Sequence, residues 1–236
     1  MSVAILQARM SSRRLPGKVM APILGMPMLA RQIERIGRAS RVQRLVVATS
    51  DRPSDDPIAG LCERIGVACF RGSLEDVLGR FTAAVRAYPA DTVVRLTADC
   101  PLTDWRLIDE CIALHERMNA DYTSNIIERT YADGLDVEVM KRAAIEAADR
   151  EASAQDEREH VTPYLYRHPE RFRIVHMRQD ADEAAMRWTV DNEADLDMTR
   201  AVYAALHSKN PDFDRHDVLK FLQANIRVAE MNHALG

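Results

Sequence analysis

The sequence predicts an α/β protein built on a doubly wound, mostly parallel sheet. Three observations carry this reading. Short, largely apolar runs at 3–6, 45–48, 67–70 and 92–97 have the length of buried strands. Stretches of helical period separate them, and strands alternating with helices at this interval imply βαβ crossovers. Each run ends in polar residues, at Arg9, at Ser50 and Asp51, at Arg71 and at Asp99. In such a sheet those ends lie on one edge and can line one pocket.

Taken in order, residues 3–6 form the first strand. A loop rich in small and basic residues follows. Met28, Leu29, Ile33 and Ile36 then make the apolar face of a helix, with Arg31, Glu34, Arg35 and Arg38 opposite. The second strand, 45–48, runs into a Pro- and Asp-rich turn at 52–57 and a short helix carrying Ile58, Leu61 and Ile65. The third strand, 67–70, ends in Arg71 and Gly72. Ser73 to Asp76 opens the next helix, with Ser73 as N-cap and Asp76 as a weak capping-box partner. Leu74, Val77, Leu78, Phe81, Val85 and Tyr88 continue it at helical spacing. The fourth strand, 92–97, stops at Ala98, Asp99, Cys100 and Pro101, and Asp104 caps the helix after it.

Beyond residue 121 the pattern changes. Residues 122–125 and 172–177 read as strands. Alternation over 134–139 places Asp136 and Glu138 on one strand face. Residues 141–150 form a helix, and so do 156–166, although Pro163 interrupts the latter. Trp188 to Asp191 reads as a strand ending in an acid, and helices follow over 196–206 and 214–224. The whole chain, 1–236, is one domain, with residues 121–187 as an inserted subdomain over the pocket edge.

Composition narrows the function. Length and a 47% hydrophobic content suffice for a sizeable core, and the net charge of −4 excludes a generally basic, nucleic-acid-binding surface. Four cysteines without a Cys-x-x-Cys pair read as reduced thiols of a cytoplasmic protein. No run approaches the roughly 20 apolar residues of a membrane span. Dinucleotide, P-loop and nucleophile-elbow signatures are absent, as is zinc-ligand spacing.

Against this acidic background the loop after the first strand is a local concentration of positive charge: Arg9, Arg13, Arg14 and Lys18 fall within ten residues. Guanidinium forks and an ammonium beside small residues suit phosphate oxygens. Asp99, at a strand end facing such a loop, suits a Mg²⁺ that bridges protein and phosphates, because Mg²⁺ takes one or two carboxylates and completes its shell with substrate oxygens and water. Asp191 sits in the same context, or else caps the helix behind it. Asp136 and Glu138 either share a site or form a solvated strand face. Arg158, Glu159 and His160 either bind substrate or form a charged helix face.

The stretches Leu6-Gln7-Ala8-Arg9 and Ser12-Arg13-Arg14-Leu15-Pro16-Gly17-Lys18 resemble the signature of the cytidylyltransferases that make CMP-activated acidic sugars, in particular the SpsF-like branch named for spore-coat polysaccharide biosynthesis. The resemblance continues at Phe70-Arg71-Gly72-Ser73, at Asp76 to Phe81, at Arg95 to Leu102 and at Gly134 to Glu138. It returns at Arg158 to Tyr164 and at Trp188 to Asp191 with Asp195 and Leu196, so it runs nearly the full chain. It implies a Rossmann-like nucleotide-diphospho-sugar transferase fold and transfer of CMP from CTP to a sugar acid, phosphate or phosphonate acceptor, with pyrophosphate leaving. It further implies Arg9, Arg13 and Lys18 on the triphosphate, where the neighbouring cation Arg14 is expected to join them, and Gln7, Ala8 and Arg71 at the nucleobase. Asp99 and Asp191 fall to Mg²⁺, with Arg9, Lys18 and Asp99 catalytic. Asp136, Glu138, Arg158 and His160 are the acceptor-side candidates, and a homodimer is expected. Ala98 replaces the glycine of the family's Gly-Asp-x-Pro, and the Ser-Gly-Thr-Asp-Arg run of the Kdo enzymes is absent. A glycosyltransferase of the related fold, or a nucleotide-binding module without catalysis, are the alternatives. The former commonly places Asp-x-Asp where this chain has Asp99-Cys100-Pro101.

Overall fold

The computed structural model describes residues 1–231. Strand β1 (Ser2–Gln7) lies inside a seven-stranded sheet and is buried on both faces. Ala4 and Leu6 enter one core while Val3 and Ile5 enter the other, which is why the run is apolar throughout. After one turn of 3₁₀ helix (Lys18–Met20) comes a small hairpin of β2 (Pro22–Ile23) and β3 (Met26–Pro27). The chain continues through α1 (Met28–Ile36), β4 (Arg44–Ser50), α2 (Asp56–Ile65), β5 (Ala68–Gly72), α3 (Val77–Ala87), β6 (Thr92–Thr97) and α4 (Trp105–Arg117). Strands β5, β4, β1 and β6 are parallel neighbours. Gln7 is in register with both Ala48 and Thr97, so three carboxyl ends meet at one edge.

The segment expected as an insertion supplies three more strands of the same sheet: β7 (Tyr122–Ser124), β8 (Glu138–Lys141) and β9 (Ile174–His176). The order is β5-β4-β1-β6-β8-β7-β9, with β8 antiparallel to both its neighbours and β9 parallel to β7. It also supplies α5 (Arg142–Glu151), α6 (Gln155–His160) and α7 (Pro163–Tyr166). Helices α8 (Glu193–Leu206), α9 (Arg215–Ala224) and α10 (Ile226–Ala229) follow. One face of the sheet is covered by apolar side chains of α1, α2, α4, α8 and α9, among them Ile33, Leu61, Ile108, Val202 and Val218. The other is covered by α3, α5 and α7 through Phe81, Ile145 and Leu165. The four cysteines are free thiols. No helix among the described residues is long and apolar enough to cross a membrane.

Local boundaries differ from the sequence reading at four places. Helix α3 opens at Val77, not Ser73. Asp76 is its N-cap, accepting from Gly79 N at 3.0 Å, and Ser73 Oγ is used one turn earlier, accepting from Asp76 N. The helix expected over 156–166 is two helices, broken at Val161, whose φ of 75° and ψ of −52° lie outside any helical range. Residues 188–191 are extended but are not a strand, because their N–H groups reach two loops instead of one neighbour: Trp188 N donates to Asp133 O and Val190 N to Asp99 O. Asp136 precedes β8 instead of lying in it, so it shares no strand face with Glu138.

Candidate active site

The loop after β1 is closed by its own backbone and tied to the next crossover. Gly17 N donates to Met10 O at 2.8 Å, and Met10 N donates to Asp55 Oδ1 at 2.8 Å. Asp55 is fully buried and also accepts from Thr49 Oγ1, Ser50 N and Ser50 Oγ. Burial would raise its carboxyl, but the hydrogen bonds from Ser50, Met10 and Thr49 outweigh this and hold it below the ordinary carboxylate range.

This loop forms one wall of a cleft of about 440 Å³ at the carboxyl edge of the sheet. Gln7, Ala8, Arg9, Arg13, Arg14 and Lys18 line it from β1 and the loop. Arg95 and Thr97 line it from β6, Asp99 from the turn after β6, Val77 and Arg80 from α3, Glu159 and His160 from α6, and Asp191 from the extended segment.

Lys18 is the hub. It is 7% exposed, and its Nζ donates to Val190 O at 2.5 Å and Asp191 Oδ1 at 3.1 Å, with Asp99 Oδ2 at 3.5 Å. Burial opposes ionisation of Asp99, but the Lys18 ammonium and hydrogen bonds from Thr97 and Cys100 keep its carboxyl below the usual range. Arg14 Nη2 reaches Asp191 Oδ2 at 2.7 Å. Asp191 is free for this because Asn192 does the capping of α8, accepting from Asp195 N at 3.0 Å. Asp195, fully buried, holds the corner in return: its Oδ2 accepts from Asp191 N, Asn192 N and Arg187. Two contacts set the extended segment against Asp99. Val190 N and Thr189 Oγ1 both donate to Asp99 O. Gly134 permits the approach on the other side, since a Cβ there would lie 2.5 Å from Thr189 N and from Trp188 C.

Other expected site residues lie elsewhere. Arg71 turns to the 50–56 turn, donating to Ser50 O and Arg52 O and pairing with Asp56 at 2.7 Å. Asp136 makes a bidentate pair with Arg129 at 2.6 and 3.1 Å. Arg158 binds Asp76 and Asp149, joining α6 to α3 and α5. Glu138 is buried under the cleft floor. It pairs with Arg95 and accepts from Tyr122 OH at 2.6 Å, while Arg95 Nε donates to Gln7 Oε1 at 2.6 Å. His160 does line the cleft. It ends α6, and Thr162 N donates to His160 O across a γ-turn centred on Val161, a conformation rare for a β-branched residue.

Sequence reasoning passed over Arg80, Arg95 and Asp55. Arg95 left a visible signal, a charged residue inside the apolar run 93–96. Arg80 follows Val77 at i+3 and so shares its helix face. Asp55 left none, because its partners Met10, Thr49 and Ser50 come from separate segments.

Among the described residues no three acidic, histidine or cysteine side chains form a complete metal cage. Asp99 and Asp191 instead offer two carboxylates on either side of Lys18. That donor set fits Mg²⁺, a hard ion that keeps few protein ligands and fills its shell with phosphate oxygens and water.

A cation-lined cleft at the carboxyl edge of a parallel sheet, with two acids at its centre, belongs to a nucleotidyltransferase of the α/β class. The family model described as cytidylyltransferase matches residues 3–223, and the chain belongs to that family. The spore coat polysaccharide biosynthesis protein SpsF of Bacillus subtilis is 32% identical, over 98% of this chain and 97% of that one. A cytidylyltransferase structure from Leptospira borgpetersenii superposes with a TM-score of 0.93 at 28% identity, covering 100% of this chain and 98% of the other. A CMP:2-keto-3-deoxy-manno-octonic acid synthetase complexed with CTP shares the fold, with a TM-score of 0.65 at 17% identity over 86% of this chain and 98% of that one.

Proposed function

We propose that this chain is a Mg²⁺-dependent cytidylyltransferase that moves CMP from CTP to a sugar acid or to a phosphate- or phosphonate-bearing acceptor, in the making of a surface polysaccharide. The observation that carries the reading is the meeting, around Lys18, of the loop cations with Asp99 and Asp191. An acceptor oxygen attacks the α-phosphorus of CTP and pyrophosphate leaves. Arg9, Arg13, Arg14 and Lys18 hold the β- and γ-phosphates in line and offset the negative charge that grows on the leaving group. Asp99 and Asp191 would hold Mg²⁺, which supplies charge neutralisation at the phosphates. Lys18 holds both acids in place. His160, presented by the γ-turn, faces the acceptor side.

Support comes from the family and from the relatives. The related synthetase is complexed with CTP, and SpsF is named for a polysaccharide. The test is pyrophosphate release from CTP, UTP, GTP and ATP, each with Mg²⁺, across a panel of sugar acids and sugar phosphates. CTP-selective release that needs both Mg²⁺ and an acceptor is expected. Release from another nucleotide with none from CTP would overturn the substrate assignment.

A further inference from the structure

Arg80 is a cation of the cleft that no carboxylate balances. It is only 5% exposed, and among the described residues it makes no ion pair with an acid. Its Nη1 donates to two backbone carbonyls, those of Ser73 and Leu74. Its buried Nε has no acceptor. The acids that bear on it most are Asp55, Asp76 and Asp51, not Asp99 or Asp191. Asp55 is taken up by Met10, Thr49 and Ser50, and Asp76 by Arg158 and Gly79 N.

The charge facing Arg80 is a like one. Arg9 opposes it, and both side chains line the same cleft. A desolvated guanidinium short of acceptors, in a cleft it shares with a second one, is costly unless an anion joins it. The place is also shaped for the side chain. Its stem runs over Gly72, where a Cβ would come within 3.1 Å of Arg80 Cγ.

We propose that Arg80 joins Arg9 in an anion-binding subsite on the α3 side of the cleft, one that takes the acid group of a small molecule. Planar guanidinium forks match the paired oxygens of a carboxylate, phosphate or phosphonate. The acid has two sources if the reading above holds: a phosphate of the nucleotide, or the acid group of the acceptor.

Titration calorimetry on R80M and R80K separates them. One arm uses pyrophosphate and CTP with Mg²⁺. The other uses gluconate and glucose 6-phosphate, each with and without cytidine triphosphate present. R80M should lose about tenfold or more in affinity in one arm, and R80K, which keeps the charge but not the fork, a smaller factor. Loss confined to the first arm assigns a nucleotide phosphate. Loss confined to the second assigns an acceptor acid. Wild-type affinity for pyrophosphate and CTP in both variants, with no Arg80-dependent binding of either acid, overturns the subsite. The unliganded melting temperature of R80M checks its fold. If that variant does not fold, R80K against wild type decides by the same criteria. Pyrophosphate binding needs no turnover, so an Arg80-dependent affinity would stand even if CTP proves not to be a substrate.

Discussion

Replacing Asp55 by asparagine removes one charge and little volume, and it should detach the 8–18 loop from the sheet. The two carboxylate oxygens divide their work: Oδ1 accepts from Met10 N at 2.8 Å, and Oδ2 accepts from Thr49 Oγ1, Ser50 N and Ser50 Oγ. An asparagine has one acceptor oxygen. Either way round, its amide nitrogen meets a backbone N–H, of Met10 or of Ser50. Hydrogen bonds to a charged group contribute about 1.5–3 kcal/mol each, and an orphaned buried donor costs about 1–3 kcal/mol. The expected loss is about 2–4 kcal/mol of stability at pH 7, measured as the shift in urea unfolding. Acid supplies a second check. The Asp55 carboxyl is more acidic in the folded chain than in the unfolded one, where it titrates near 3.9. Its contribution is therefore complete above about pH 5 and fades as the pH falls below about 4, toward the folded value. Asparagine does not titrate, so the gap between wild type and variant should narrow on acidification. A gap under about 0.5 kcal/mol at pH 7, the size of an ordinary surface change, would refute the reasoning, and so would a gap that stays constant down to pH 3.5.

Asp99→Asn should lower turnover about a hundredfold or more while near-UV circular dichroism stays unchanged, because the exchange alters charge and not shape. Full activity at ordinary Mg²⁺ would remove Asp99 from the metal assignment. Gly134→Ala should cost about 2–4 kcal/mol in urea unfolding, since its Cβ would strike the backbone of Trp188 and Thr189 at a φ of 108°. Turnover should fall with it, because that backbone carries Asp191. Glu138→Gln should destabilise by about 3–5 kcal/mol by leaving Arg95 buried without its partner. The double variant Glu138→Gln with Arg95→Met should recover part of that loss, which a four-way unfolding cycle would read.

The parallel half of the sheet was legible because its strands read as short, largely apolar runs between amphipathic helices, interrupted within β6 by Arg95. The cleft edge was legible for the same reason: strand ends are marked where polarity begins, and Arg9, Thr97 and Asp99 all sit at such marks. The strand reading failed at Trp188 to Asp191, whose apolar side chains are buried in the core while the backbone N–H groups bond to Asp133 and Asp99 instead of to one strand neighbour. Periodicity reports burial and cannot say what does the burying.

Sequence by itself determined the α/β class, the loop that carries Arg9, Arg13, Arg14 and Lys18, and the acids at 99 and 191, because each is a local pattern of residue types. Tertiary structure alone decided that Lys18 holds both acids. It turned Arg71 and Arg158 into braces, made Asp55 the clasp of the loop, and left Arg80 buried without an acid partner. Those outcomes depend on which side chains from distant segments arrive within hydrogen-bond reach. Charge, size and spacing along the chain do not encode that distance.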